Sequence, residues 1–77
     1  MTYKYDRQAD AIYIRLAEAP YAYGKDLDSE RRIDYAADGT PIGVEITCLS
    51  AGVDVENLPD RAGITKLLEG LNIKVYA

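Results

Sequence analysis

Five carboxylates, Asp6, Asp10, Asp34, Asp38 and Glu45, are the side chains in this sequence best suited to chemistry. Oxygen ligands gathered from several of them could hold a divalent cation, and a converging pair could do acid–base work. Asp34, Asp38 and Glu45 lie in one stretch, Asp34 to Ile46, with Gly39 and Gly43. These three are the candidate metal ligands of a small metal-dependent hydrolase or cation-binding protein. Each carboxylate also has a plainer duty. Asp6 and Asp10 suit turns, Asp38 precedes a turn glycine, and Glu45 has Arg32 as a cross-strand partner. Asp34 alone is left without an evident role. It faces Gly43, whose missing side chain leaves room for a ligand or for another backbone.

Other routes to catalysis are closed. The chain has no histidine, which removes histidine acid–base catalysis, Ser/His/Asp triads and most zinc sites. Its glycines never fall into the GxGxxG or P-loop spacing, and no cofactor is expected. Cys48 has no histidine to activate it and shares the parity of Ile42, Val44 and Ile46, which assigns it to the apolar face.

The elements that must position these residues follow from periodicity. Tyr3-Lys4-Tyr5 begins a first strand. Ala11 to Ala17 places Ile12, Ile14 and Leu16 on one face and Tyr13 and Arg15 on the other. Tyr21 to Asp28 has mixed faces, as an edge strand does. Arg31 to Tyr35 and Ile42 to Cys48 flank the Asp38-Gly39 turn. With Asp38 and Gly39 as the central pair of a type I′ turn, Tyr35 faces Ile42, Ile33 faces Val44, Arg32 faces Glu45 and Asp34 faces Gly43. After Leu49 the period changes, and Ile64, Leu67, Leu68 and Leu71 predict an amphipathic helix over about Asp60 to Leu71. Gly70 and Asn72 supply its stop. Ile73-Lys74-Val75-Tyr76 reads as a last strand or an extended tail able to add to a sheet edge in this subunit or in another. The expected class is α+β in a single domain over residues 1–77. A small antiparallel sheet of about five strands, a meander of hairpins, occupies 1–49, and a helix and terminal strand occupy 50–77.

The segment from Tyr5 to Ile46 resembles a family of short bacterial proteins known as domain of unknown function 2283. The resemblance rests on Tyr5-Asp6, on Ala9-Asp10-Ala11-Ile12-Tyr13-Ile14-Arg15-Leu16, and on Asp34, Asp38-Gly39, Gly43 and Glu45-Ile46. It implies a small antiparallel sheet in a soluble bacterial or archaeal protein, sometimes encoded beside a small toxin, with no established activity. Pro59 to Ala77 extends beyond the shortest members.

Charge and size bound the partners. Thirteen acidic against nine basic side chains give a net charge of −4, which disfavours phosphate-neutralising nucleic-acid binding and favours a basic protein partner. No apolar run approaches the roughly 18 residues of a membrane-crossing helix, and no signal-peptide segment opens the chain. A cytoplasmic protein with Cys48 reduced is the expectation. A core drawn from 77 residues is thin, and one cysteine cannot close an internal disulfide, so a partner subunit is expected to add stability. The favoured function is a non-catalytic interaction module. It would be either a homodimer or the acidic partner in a toxin–antitoxin-like pair, with Ile64, Leu67, Leu68, Leu71 and Val75 at the interface.

Overall fold

The computed structural model describes Met1 to Tyr76. Strands β1 (Thr2–Asp6), β2 (Ala11–Arg15), β3 (Tyr23–Asp26), β4 (Arg31–Tyr35) and β5 (Pro41–Ile46) form one antiparallel sheet in the order β1-β2-β5-β4-β3. The expected hairpins are present. They do not run on as one meander, because β5 returns to pair with β2 and so joins the β1–β2 hairpin to the β3–β4–β5 unit. A single 3-10 turn, Leu49–Ala51, leads to β6 (Val53–Asp54), helix α1 (Arg61–Gly70) and β7 (Val75–Tyr76).

Alternation in the strands sorts the sheet into two unlike faces. Ile12, Ile14, Ile33, Val44 and Ile46 point to the inner face and are buried there by Leu49, Val53, Val55, Leu58, Ile64, Leu68 and Ile73 from the second half of the chain. Tyr13, Arg15, Arg32, Asp34, Gly43 and Glu45 alternate with them onto the outer face. β1 and β3 are the two edges, as the mixed pattern of β3 predicts.

The turn between β4 and β5 departs from expectation. The Gly39 N–H donates to the Ala36 carbonyl at 2.9 Å, so Ala37 and Asp38 are central and Gly39, at φ 88°, follows them. A type I′ turn would need positive φ at Asp38 as well, which that residue does not adopt. The Asp38 carboxylate instead accepts the Thr40 N–H at 2.9 Å. The longer loop shifts the ladder at its last step, and Tyr35 faces Pro41 rather than Ile42. The pairs Ile33–Val44, Asp34–Gly43 and Arg32–Glu45 stand as expected.

Helix α1 falls where its spacing put it. Asp60 caps it by accepting the Gly63 N–H at 3.3 Å, and Asn72, left-handed at φ 61°, stops it while the Ile73 N–H returns to the Leu68 carbonyl at 2.9 Å. Ile64 and Leu68 are fully buried, each contributing about 2 kcal/mol by leaving water. The last strand pairs within its own chain. β7 lies parallel to β6 in a separate ribbon and adds to neither edge of the main sheet.

Cys48 is a correction. β5 ends at Ile46, Cys48 takes a left-handed turn at φ 56°, and its side chain is exposed while Leu49 goes inside. The parity argument fails because the strand stops short of it. The Glu30 carboxylate beside the thiol raises its pKa, which keeps it protonated and unreactive.

Candidate functional site

The outer face is made flat by two glycines. Tyr13 crosses from β2 over Gly43 and donates its hydroxyl to Asp34 Oδ2 on β4 at 3.1 Å. A Cβ on Gly43 would stand 1.9 Å from that hydroxyl oxygen, so only glycine lets the ring lie down. Burial first, and then the Asp34 contact, raise the Tyr13 pKa and keep the phenol protonated. Gly24 does the same for Arg32, whose Nη2 would be 2.4 Å from an added Cβ. Lying over that gap, the Arg32 guanidinium reaches Asp26 at 3.1 Å and Asp34 at 3.5 Å. Glu45 faces Arg32 in the ladder but is not its ion-pair partner, because the open space at Gly24 draws the guanidinium towards β3.

Asp34 therefore has a structural job that the sequence left open. It receives a tyrosine that reaches it from β2 across the intervening β5, and holds an arginine of its own strand. The three candidate metal ligands are not brought together: Asp34 is engaged by Tyr13, Asp38 closes its own turn, and Glu45 is exposed on the outer face. Among the described residues, no group of three or more His, Cys, Asp or Glu side chains is placed to hold a metal ion. Asp6 caps its turn through the Ala9 N–H at 3.0 Å. Asp10 does more than turn the chain. Its carboxylate accepts the Ser50 hydroxyl at 2.7 Å and its carbonyl accepts the Leu49 N–H at 3.1 Å, tying the β1–β2 turn to the exit from β5.

Carboxylates gather at one end of the sheet. Asp26, Asp28, Glu30 and Glu45 line a shallow depression with Thr47, and Asp54 stands beside Asp28 and Glu30 in an adjoining one. The two arginines there are already engaged. Arg32 serves Asp26 and Asp34, while Arg31 turns inward and is 9% exposed. Among the described residues, neither Glu30 nor Glu45 has a cation within ion-pair distance.

Arg31 has a role that sequence reasoning did not assign. Its Nε and Nη2 grip Asp28 Oδ2 at 2.9 and 2.8 Å, and its Nη1 donates to the carbonyls of Asp54 at 2.9 Å and Glu56 at 2.6 Å. The guanidinium thereby fastens the β6 segment to the sheet. It also holds the Asp28 carboxyl below its ordinary pKa, helped by the Glu30 N–H. The signal was its parity with Ile33, which places a charge on the apolar face and demands partners there. Of the residues expected at an interface, Ile64 and Leu68 lie wholly within the chain's own core, and Leu67, Leu71 and Val75 pack half-buried against its margin.

Fold and site define a small α+β protein whose sheet is covered on one face and open on the other, with an acidic rim at one end. The chain belongs to the family described as Protein of unknown function (DUF2283), whose model matches residues 2–50. No curated protein and no solved structure matches it. The family match spans all five strands of the main sheet and stops as the covering segment begins. Among the described residues, no helix is long and apolar enough to cross a membrane.

Proposed function

We propose that this protein is a non-catalytic interaction module, the acidic member of a two-protein pair, and that the rim of Asp26, Asp28, Glu30 and Glu45 receives a small basic protein. The observation that carries this reading is the surplus of carboxylate at the rim: Arg31 and Arg32 neutralise Asp28 and Asp26, and among the described residues Glu30 and Glu45 have no counter-ion. Unpaired charge of one sign steers an oppositely charged partner and raises its association rate. The same charge opposes a homodimer through this surface, since two copies would set carboxylate against carboxylate. A cation-dependent hydrolase gains no support from Asp34, Asp38 and Glu45, which stand apart, the first two engaged by Tyr13 and Thr40 and the third exposed. The proposal carries with it a bacterial cytoplasmic setting, where a lone thiol such as Cys48 stays reduced.

Co-expression of the tagged full chain with the products of its flanking genes tests this. A basic product should co-purify, elute as salt is raised, and bind about tenfold or more weakly to a Glu30→Lys/Glu45→Lys variant. A monomer that retains neither product, or that retains one with affinity unchanged by the double reversal, refutes the proposal.

A further inference from the structure

Along the β1 edge of the outer face lies a cleft of the other sign. It is lined by Thr2, Tyr3, Lys4, Tyr13 and Arg15, with Glu18 among its lining residues. β1 and β2 build it through their register, which sets Lys4 opposite Tyr13 and Thr2 opposite Arg15, so that Lys4 and Arg15 are diagonal neighbours on one face. Among the described residues, neither cation has a carboxylate within ion-pair distance, although acids outnumber bases in the chain. Arg15 is held in place: its guanidinium carbon lies 5.9 Å from the centre of the Tyr13 ring, and that ring is fixed in turn by the hydroxyl's bond to Asp34. The Tyr13 proton is committed to Asp34, so the side-chain donors left for a ligand are Lys4, Arg15 and the hydroxyls of Thr2 and Tyr3.

We propose that this cleft binds a doubly charged phosphate group. Two unpaired cations match the charge of about −1.5 to −2 that a phosphate monoester carries near neutral pH, whereas a carboxylate would leave one of them uncompensated. The planar guanidinium offers paired donors to two phosphate oxygens, the lysine supplies a mobile point charge, and the threonine hydroxyl reaches a third oxygen. Three acids bear on the site. Asp34 lies beyond the tyrosine and is balanced by Arg32 at 3.5 Å, while Glu45, opposite Tyr13 on β5, and Glu18 have no such partner among the described residues and oppose the anion. This site does not rest on the proposed docking of a protein at the rim, although it adjoins the rim at Glu45, which faces Tyr13 across the β2–β5 ladder.

Titration of the isotope-labelled full chain, followed by amide NMR, tests the proposal. Inorganic phosphate and phosphoserine are the probes, in separate arms, and acetate is the control. Saturable shifts are expected at Thr2, Lys4, Tyr13 and Arg15 with at least one phosphate probe, at a dissociation constant on the order of 1 mM or below. Tighter binding of phosphoserine marks an ester as the ligand, and tighter binding of inorganic phosphate marks the free anion. Lys4→Gln and Arg15→Gln should each weaken binding several-fold, and Glu18→Gln should strengthen it, a gain that a merely structural role would not produce. Affinity for phosphoserine should also rise between pH 5.5 and 7.5 as the ester's second phosphate proton leaves, with a pKa of about 6. Failure of both phosphates to saturate by about 10 mM, acetate binding as tightly as phosphate, or affinity unchanged in both cation variants overturns the assignment.

Discussion

The two faces of the sheet are made by the same five strands and held by opposite means. The inner face is filled by volume: aliphatic side chains from β2, β4 and β5 meet aliphatic side chains from residues 49–73, and no direction is specified beyond being apolar and of suitable size. Among the described residues nothing covers the outer face, and it is held by direction. A phenol and a guanidinium lie across neighbouring strands, each over a glycine, and join at one carboxylate. A sheet with one face open to water needs this second kind of bracing, because its exposed side cannot draw on the hydrophobic effect. Arg31 belongs to neither pattern. It carries directional bonding into the apolar side and so links the family's sheet to the segment that covers it.

Substitutions should separate these modes by size. Leu68→Ala, in the fully buried stripe of α1, should cost about 3 kcal/mol of global stability in denaturant titration. A cost under about 1 kcal/mol would mean that the inner face is not the core.

Arg31→Met should cost about 2 to 3 kcal/mol, because it leaves two carbonyls and the Asp28 carboxylate without their donor. Its effect should be local, with hydrogen exchange quickening in β6 and β7 before it does in β2 and β5. The same contact sets a pH dependence. Asp28 titrates below its ordinary 3.8 in the folded chain, so its contribution is complete above that value and is lost as pH falls through the lower folded pKa. The variant should show a shallower loss of stability in acid than the parent. Equal acid limbs would break the link between the two groups.

The outer face should give the smallest effects and the clearest coupling. Gly43→Ala should cost about 1 to 2 kcal/mol by forcing Tyr13 off Asp34, and Tyr13→Phe about 1 kcal/mol by removing the same bond. Because one hydrogen bond underlies both losses, the double variant should fall short of their sum by about 1 kcal/mol. Strict additivity would show that the glycine serves some other purpose.

Much of this molecule was legible from spacing. Period-2 alternation gave the strands and the edge position of β3, the Ile64, Leu67, Leu68 and Leu71 spacing gave the helix within a residue at either end, and three of the four hairpin pairs followed from the Asp-Gly turn. These are local matters, and local chemistry decides them. The candidate site was less legible. Asp34 and Gly43 could be singled out together, yet their partner Tyr13 comes from a strand 21 residues away whose pairing with β5 no short-range pattern reports. The turn type was missed by one residue, since an Asp-Gly pair suits both a two-residue and a three-residue loop and only backbone angles separate them.

By itself, the sequence determined a small α+β protein with one apolar sheet face, without histidine chemistry and with a surplus of acid. Tertiary structure alone decided where that acid collects, which carboxylates are already engaged, and that Arg31 works inside rather than outside. It also decided that the last strand pairs within the chain. The physical reason is common to all four. Periodicity fixes which face a residue takes, but what a charged side chain does there depends on the neighbour that chain reversal brings within about 4 Å, and that neighbour is chosen by packing across the whole fold.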